Sequence, residues 1–337
     1  MKTLKEREWF FSQEKEEFVA TNPNPVYDIY RLKTTRQVIC DIRIDSGLSL
    51  EKETVIGAVA DLHFNFCNMN DRNDEELAYT EKCREWLKEQ KSVPAAIKAL
   101  EAADFCDAAV LLGDTLDYMS EGAAELVKKH IIRKYPEIIM ALGGHDITKE
   151  MQTKIPDKLP LEEREAYVAA FWPHDIHYYS RVINDKVVVV ALNNSMSCYL
   201  ESQIEKLRFD IVEARKNGRI IIVAQHEPLA AYTEEKGIVP AVIVNGGALK
   251  EVNFMTPDII GASQNNSGVT GEVVKLITEN ADVIKAVVAG HWHSQFYGEI
   301  NASYEKDGKK VETVIPEFVI SGNPYHEAGF LARIIVK

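Results

Sequence analysis

Aspartate and histidine recur along the chain in five short clusters whose residue types suit metal-assisted chemistry. They are Asp61-Leu62-His63, Gly113-Asp114 with Asp117 three residues on, Gly144-His145-Asp146, His226-Glu227-Pro228, and Gly290-His291-Trp292-His293. Carboxylate and imidazole together suit divalent Mn, Fe, Co, Zn or Ni better than Ca or Mg, which prefer oxygen alone. At an extended strand end, residues two apart point to the same side, so Asp61 with His63, and His291 with His293, can each aim a pair at one place. Asp61, His63, Asp114, His226, His291 and His293 exceed what one four-coordinate ion needs. Two ions about 3.5–4 Å apart, sharing one carboxylate, would use them all. Asp114 is the natural bridge, standing alone on its strand with two oxygens to offer. Water held there would be acidified into a hydroxide nucleophile, the chemistry of hydrolysis.

Such residues need a scaffold that brings distant segments to one edge. Six nearly continuous apolar runs supply it: 54–60, 108–113, 137–143, 186–192, 219–225 and 284–290. Runs of this length, rich in β-branched residues, read as strands buried on both faces. Helical patterns lie between them, over 74–103, 121–134, 161–171, 201–217 and 270–280. That alternation predicts an α/β fold around a large sheet. Five of the six runs end in a carboxylate, an imidazole or both, and ligands bind at the carboxyl ends of strands in such sheets. Asp307-Gly308 marks a hairpin turn, and FLARIIV reads as a closing strand.

At this point the sequence resembles the calcineurin-like metallophosphoesterase superfamily. The matches are DLH (61–63), GDTLD (113–117), GGHD (143–146), His226 and GHWH (290–293), all in the family's order and strand context. The resemblance implies a four-layer α/β-β-α sandwich, two mixed sheets flanked by helices. It implies that Asp61, His63 and His293 hold a first metal, that Asp114 bridges, and that His226 and His291 hold the second. His145 would be the catalytic histidine, oriented by Asp146. The implied activity is hydrolysis of a phosphodiester or a small phosphomonoester, with two divalent ions (Mn, Fe or Zn) as cofactor. Asp117 is expected to orient a ligand imidazole by accepting its other N–H.

Gly144 departs from the pattern, since the family has Asn there and uses its side-chain oxygen on the second metal. Weaker binding at that site is expected unless water, Asn65, Asn193 or Asn194 fills the gap. The same glycine is the one support for an alternative, a non-catalytic or single-metal binding or scaffold member; retention of every other ligand argues against it. Tyr118 after Asp117, and Lys149 or Glu150 after the third motif, leave out both phosphate-gripping arginines of the Ser/Thr protein phosphatases. Asp117 stands where purple acid phosphatases have a metal-binding Tyr. Phosphodiesterases, phosphomonoesterases and nucleases remain, with a lean to a phosphodiester. Arg72 is a candidate phosphate contact.

Composition bounds the partners. The chain has 337 residues, with 39 Lys+Arg against 52 Asp+Glu, a formal charge of −13. Such a surface repels phosphate backbones, so a nucleic-acid partner is disfavoured but not excluded, and a small phosphorylated substrate fits better. Five cysteines (40, 67, 83, 106 and 198) without a CxxC pair suit a reducing compartment. The first 20 residues mix charge with apolar positions and do not read as a secretory signal. No apolar run approaches a membrane span, and a cytoplasmic protein is expected. Residues 1–50 read as an extension carrying an edge strand at 38–44, and 51–337 as the catalytic domain. The irregular stretch 228–270 reads as a lid or substrate wall. His326 and the aromatic cluster at 172–179 are expected to play surface and packing roles. The sequence leaves the oligomeric state open.

Overall fold

The computed structural model describes residues 2–17, 27–85, 92–149, 159–196, 198–229, 241–243, 249–251, 268–291, 293, 295–320, 322 and 329–337. Most of the 228–270 stretch, together with Trp292 and His326, lies outside the described residues. The chain opens with α1 (Leu4–Phe11), capped by the Thr3 hydroxyl, which accepts from the Glu6 N–H. Strands β1 (Lys15–Glu17), β2 (Tyr27–Leu32), β3 (Val38–Ile44) and β4 (Thr54–Val59) follow. Helices α2 (Glu75–Cys83) and α3 (Ser92–Ala103) precede β5 (Ala108–Leu112), and α4 (Glu121–Val127) precedes β6 (Ile139–Ala141). Next come α5 (Leu161–Ala169), β7 (Tyr178–Ile183), β8 (Val187–Leu192), α6 (Glu201–Lys216) and β9 (Ile220–Ala224). A short ladder of β10 (Ala241–Ile243) and β11 (Leu249–Glu251) leads to α7 (Gly268–Thr278) and β12 (Ile284–Ala289). The chain closes with β13 (Phe296–Lys306), β14 (Lys309–Val319) and β15 (Phe330–Val336).

Two mixed sheets result. One has the order β1-β2-β3-β15-β4-β5-β6 and the other β13-β14-β12-β9-β8-β7. Their facing sides close on one another through Val38, Cys40, Ile42, Val110, Ile139 and Ile334 of the first and Val189, Ile222, Val288 and Phe318 of the second. The outer face of the first sheet is covered with residues of α3 and α4, and that of the second with α6 and α7. The four layers, α/β-β-α, are the architecture expected. Burying each such aliphatic side chain is worth about 1.5–3 kcal/mol, which explains why the strands read as unbroken apolar runs.

The strand at 38–44 does not lie at an edge. It is paired on both sides, antiparallel to β2 and parallel to β15, and the edge falls to β1. Its alternation arises because Val38, Cys40, Ile42 and Ile44 face the other sheet while Ile39 joins the helix-side core. The hairpin forms as expected: β13 and β14 pair from Phe296↔Val319 to Lys306↔Lys309. Asp307 (φ 53°) and Gly308 (φ 71°) make its turn, both left-handed as a two-residue type I′ connection requires. Tyr178 and Tyr179 open β7, an edge strand of the second sheet, in agreement with a packing role for part of the 172–179 cluster.

Candidate metal centre

Strands β4, β5 and β6 run parallel, as do β8, β9 and β12, so the loops leaving their carboxyl ends meet above the sheets. The loops after β4 and β5 are knitted together: the Asp61 N–H donates to Gly113 O at 3.2 Å and the His63 N–H to Asp114 O at 2.9 Å. Gly113 (φ 84°) lies so close to His226 that a Cβ there would sit 2.5 Å from the imidazole Nδ1. Gly143 is equally constrained, because its Cβ would fall 2.3 Å from the Asp114 backbone N. Both glycines of these motifs therefore admit a neighbouring site residue.

The backbone is strained where the donors sit. Asp61, His63, Asp114, His291 and His293 all have positive φ, between 45° and 73°. Non-glycine residues adopt this region at a cost, and such outliers concentrate where function needs them. The pairs are thus aimed by left-handed turns and not by extended strand ends. Asp61 and His63 do face one place, but His291 and His293 diverge to two.

Three donor groups result among the described residues, the third of which joins His63 and His145 through Asp117. Asp61, His63, Asp114 and His293 each offer an atom within 4.8 Å of the others, and so do Asp114, His226 and His291. Asp114 belongs to both. His63 Nε2 faces His293 Nε2 at 3.0 Å, and His293 Nε2 lies 3.3 Å from Asp61 Oδ1. His226 Nε2 faces His291 Nδ1 at 3.2 Å and Asp114 Oδ2 also at 3.2 Å. The backbone N–H of His291 donates to both Asp61 oxygens, at 3.0 and 3.1 Å.

The outward bonds of these rings fix their tautomers. His63 Nδ1 donates to Asp117 Oδ1 at 2.9 Å and His226 Nδ1 to Leu112 O at 2.8 Å. In each ring Nε2 is left as the lone-pair atom, directed at another nitrogen or a carboxylate oxygen. Facing lone pairs at such distances repel unless a proton or a cation lies between them. The donor set fits divalent ions of the kind that take mixed imidazole and carboxylate ligands.

The electrostatics of the metal-free protein say the same. Burial opposes a charge on His226, yet the Asp114 carboxylate beside it lifts the imidazole to about 10, so a proton occupies that gap. Burial, with His226 charged nearby, holds His291 down at about 3. Burial takes His63 to about 4 despite its bond to Asp117. Burial also works against ionisation of Asp117, but hydrogen bonds from His145, His63 and Arg84 keep it well below the usual carboxylate range. Burial and the Asp114 charge push Asp146 up to about 7.

His145 sits beside the shared carboxylate in a 3-10 turn, His145–Ile147. Its N–H donates to Asp114 Oδ1 at 2.9 Å and its Nδ1 to Asp117 O at 2.7 Å, leaving Nε2 3.9 Å from Asp114 Oδ2. Its side chain is 23% exposed, against 1% for His63 and His226, so it is the histidine among the three that a substrate can touch. Asp146 does not contact the imidazole in the described hydrogen bonds; its oxygens accept from Leu116 N (2.7 Å) and Gly143 N (2.8 Å) and shape the turn.

The residues considered as stand-ins for the missing Asn are committed elsewhere. Asn65 donates to Asp117 and accepts from Tyr118, Asn193 accepts from the Ser195 N–H, and Asn194 accepts from the N–H groups of His226 and Glu227. Arg72 is forked onto Glu81 at 3.0 and 3.1 Å, and Lys149 pairs with Asp74 at 2.6 Å. Among the remaining histidines, His174 stacks on Tyr179 and accepts from Met140 N, and His177 lies 3.3 Å from Glu165. Sequence reasoning missed Arg84, whose guanidinium grips Asp117; its one sequence signal is its place at the end of the helix that follows the first motif.

The fold and this donor arrangement define a metal-dependent hydrolase of the two-sheet sandwich type. A sequence profile described as calcineurin-like phosphoesterase matches residues 54–295, and the chain belongs to that family. It is therefore a metal-dependent phosphoesterase, a hydrolase of phosphoester bonds. No curated protein sequence matches the chain. Among solved structures it is similar to a dimetal phosphatase from Danio rerio, at 12% identity over 82% of this chain and 89% of that one, with a TM-score of 0.42. It is also similar to PhoD, at 11% identity over 88% of this chain and 62% of that one, TM-score 0.43. A phosphopantetheinyl hydrolase from Mycobacterium tuberculosis matches at 10% identity over 82% of this chain and 92% of that one, TM-score 0.36. No helix among the described residues is long and apolar enough to cross a membrane.

Proposed function

We propose that the chain hydrolyses a phosphodiester or a small phosphomonoester, with a lean to the diester, at a dinuclear centre. Asp61, His63 and His293 hold one ion, His226 and His291 the other, and Asp114 is shared. The observation that carries this reading is that Nε2 of His63 and of His226, each ring held from behind through Nδ1, converge on His293 and on Asp114 and His291 at 3.0–3.2 Å. When bound, Mn, Fe or Zn ions would acidify water and neutralise charge on the phosphoryl oxygens. The protein's own share is positional. The six donors would fix where the ions sit, and His145, its Nδ1 tied to Asp117 O, presents Nε2 to the leaving oxygen as proton donor. Gly144, on this reading, weakens one ion's grip and leaves the reaction in place.

Residues 51–337 form the catalytic unit on this proposal, and 1–50 widen the first sheet. The five free cysteines favour a reducing, cytoplasmic location. The test is turnover of bis-p-nitrophenyl phosphate beside the monoester, with and without Mn²⁺. Metal-stimulated turnover of the diester, lost by more than about 10³-fold in Asp114→Asn, is expected. Equal turnover in that variant would sink the assignment, and a preference for the monoester would reverse the substrate choice.

A further inference from the structure

Asp117 is the point through which two of the site's imidazoles are held, and it is itself held from outside the motifs. Arg84, the residue that caps the C-terminus of α2, donates Nε to Asp117 Oδ2 and Nη2 to Asp117 Oδ1, both at 2.5 Å. Two parallel N–H···O bonds define the plane of the carboxylate as well as its position. With that plane fixed, Oδ1 is presented to His63 Nδ1 at 2.9 Å and lies 3.5 Å from His145 Nδ1. Oδ2 receives Asn65 Nδ2 at 2.8 Å, and the same amide donates to the Arg84 carbonyl at 3.2 Å, so Asn65 ties both ends of the pair together. Asp117 has no exposed surface and Arg84 is 9% exposed, so the fork is formed out of water.

We propose that Arg84 is a positioning residue for the metal centre. Through Asp117 it sets the ring orientation of His63, and with it the direction of the Nε2 lone pair toward the first donor group. The same grip steadies the loop whose Asp117 carbonyl holds His145. This inference rests on the reading of the site as a metal centre.

Arg84→Lys keeps the charge but not the fork. Relative to wild type, its Mn²⁺ affinity, read as metal retained after dialysis against a graded series of free Mn²⁺, falls by about 10–100-fold. On bis-p-nitrophenyl phosphate at saturating metal, kcat falls while KM stays within about threefold, because the substrate's own contacts are untouched. In Arg84→Ala, added guanidinium ion restores part of both. In an Asp117→Asn background the lysine substitution costs little more, because its route to the site is already cut. The proposal is overturned if Arg84→Lys retains metal as wild type does, or if its losses add in full to those of Asp117→Asn. It is also overturned if the metal-free melting temperature falls in step with metal retention, which would make Arg84 a fold residue only. Wild-type protein that retains no metal and cleaves neither ester would sink the proposed function, a result distinct from all three.

Discussion

Two aspartates of the first sheet's side of the molecule are gripped by arginine forks out of water, and the forks differ in what else touches the carboxylate. Asp41 of β3 receives Arg333 of β15 at 2.6 and 2.7 Å, across a pair of residues directly opposite in register. The Tyr30 hydroxyl lies 3.4 Å from the same carboxylate and Arg43 Nη2 4.0 Å, while the Arg333 guanidinium sits 3.9 Å over the ring of Phe11. No histidine is among them, and the fork joins neighbouring strands to α1. Asp117 receives Arg84 at 2.5 Å and passes the constraint on to His63 and His145. The same chemical unit therefore fastens secondary structure in one place and aims reactive side chains in the other. What separates the two is the third partner.

The largest expected contrast comes from removing each carboxylate in turn. Asp41→Asn breaks a buried pair and costs about 3–5 kcal/mol of stability, yet the molecules still folded turn over substrate as wild type does. Asp117→Asn also strands an arginine, but its turnover per folded molecule drops by about 10²-fold or more, since His63 and His145 lose their anchor. Urea titration beside active-site-normalised kinetics separates the two effects. A per-molecule defect in Asp41→Asn, or none in Asp117→Asn, would erase the distinction.

A smaller effect distinguishes the regions by pH. In the metal-free fold His63 is held near 4 and His291 near 3 by burial. Both titrate near 6.5 in the unfolded chain, which therefore binds the extra protons between about pH 6.5 and 4, and stability falls as the pH drops through that window. Asp146, lifted to about 7, takes its proton first in the fold and works the other way, while His130 and His174, both lowered by burial, add to the histidine side. His226, lifted to about 10, adds stability that is complete below 6.5 and is lost as the pH rises toward 10. Metal-stripped protein should thus be most stable near neutrality. Asp41→Asn should keep both slopes, whereas His63→Asn should lose part of the acid one. Urea midpoints at about pH 5, 7 and 9 read this out, and a flat response from 5 to 7 would contradict it.

Much of this could be read from the residues because each strand is an apolar run and each run ends in a donor. Parallel strands bring such ends together whatever lies between them, so Asp61 and His293 meet although 232 positions apart by their numbering. The first two strands, β1 and β2, were not legible. In β2, Tyr27-Asp28-Ile29-Tyr30-Arg31-Leu32, Tyr30 and Leu32 join the helix-side core while Ile29 packs toward the other sheet, and Asp28 and Arg31 fall on opposite faces, so no alternation of apolar with polar survives. Nor was Arg84, whose bond to Asp117 spans 33 residues and leaves no trace in spacing. The left-handed turns at the donors were equally hidden, because Asp and His signal no backbone strain by type alone.

Gly144 is the place where sequence and structure together make the finest prediction. Its backbone is ordinary right-handed helical (φ −63°, ψ −38°), open to any residue, and an added Cβ would meet the Ser195 carbonyl oxygen at 3.3 Å. The donor group on the His226 side has three members against four on the His63 side, and the nearby asparagines are already bonded. Wild-type protein after dialysis should therefore hold closer to one ion than to two. Gly144→Asn would add an amide oxygen next to the shared carboxylate and tighten the second ion by about tenfold. The added Cβ asks the Ser195 carbonyl to give by only a few tenths of an ångström, so the variant's metal-free melting temperature should move little. Stoichiometry by elemental analysis across a Mn²⁺ series decides it: two ions held tightly by the wild type, or no gain in Gly144→Asn, would mean that the second group is complete without a side chain at 144.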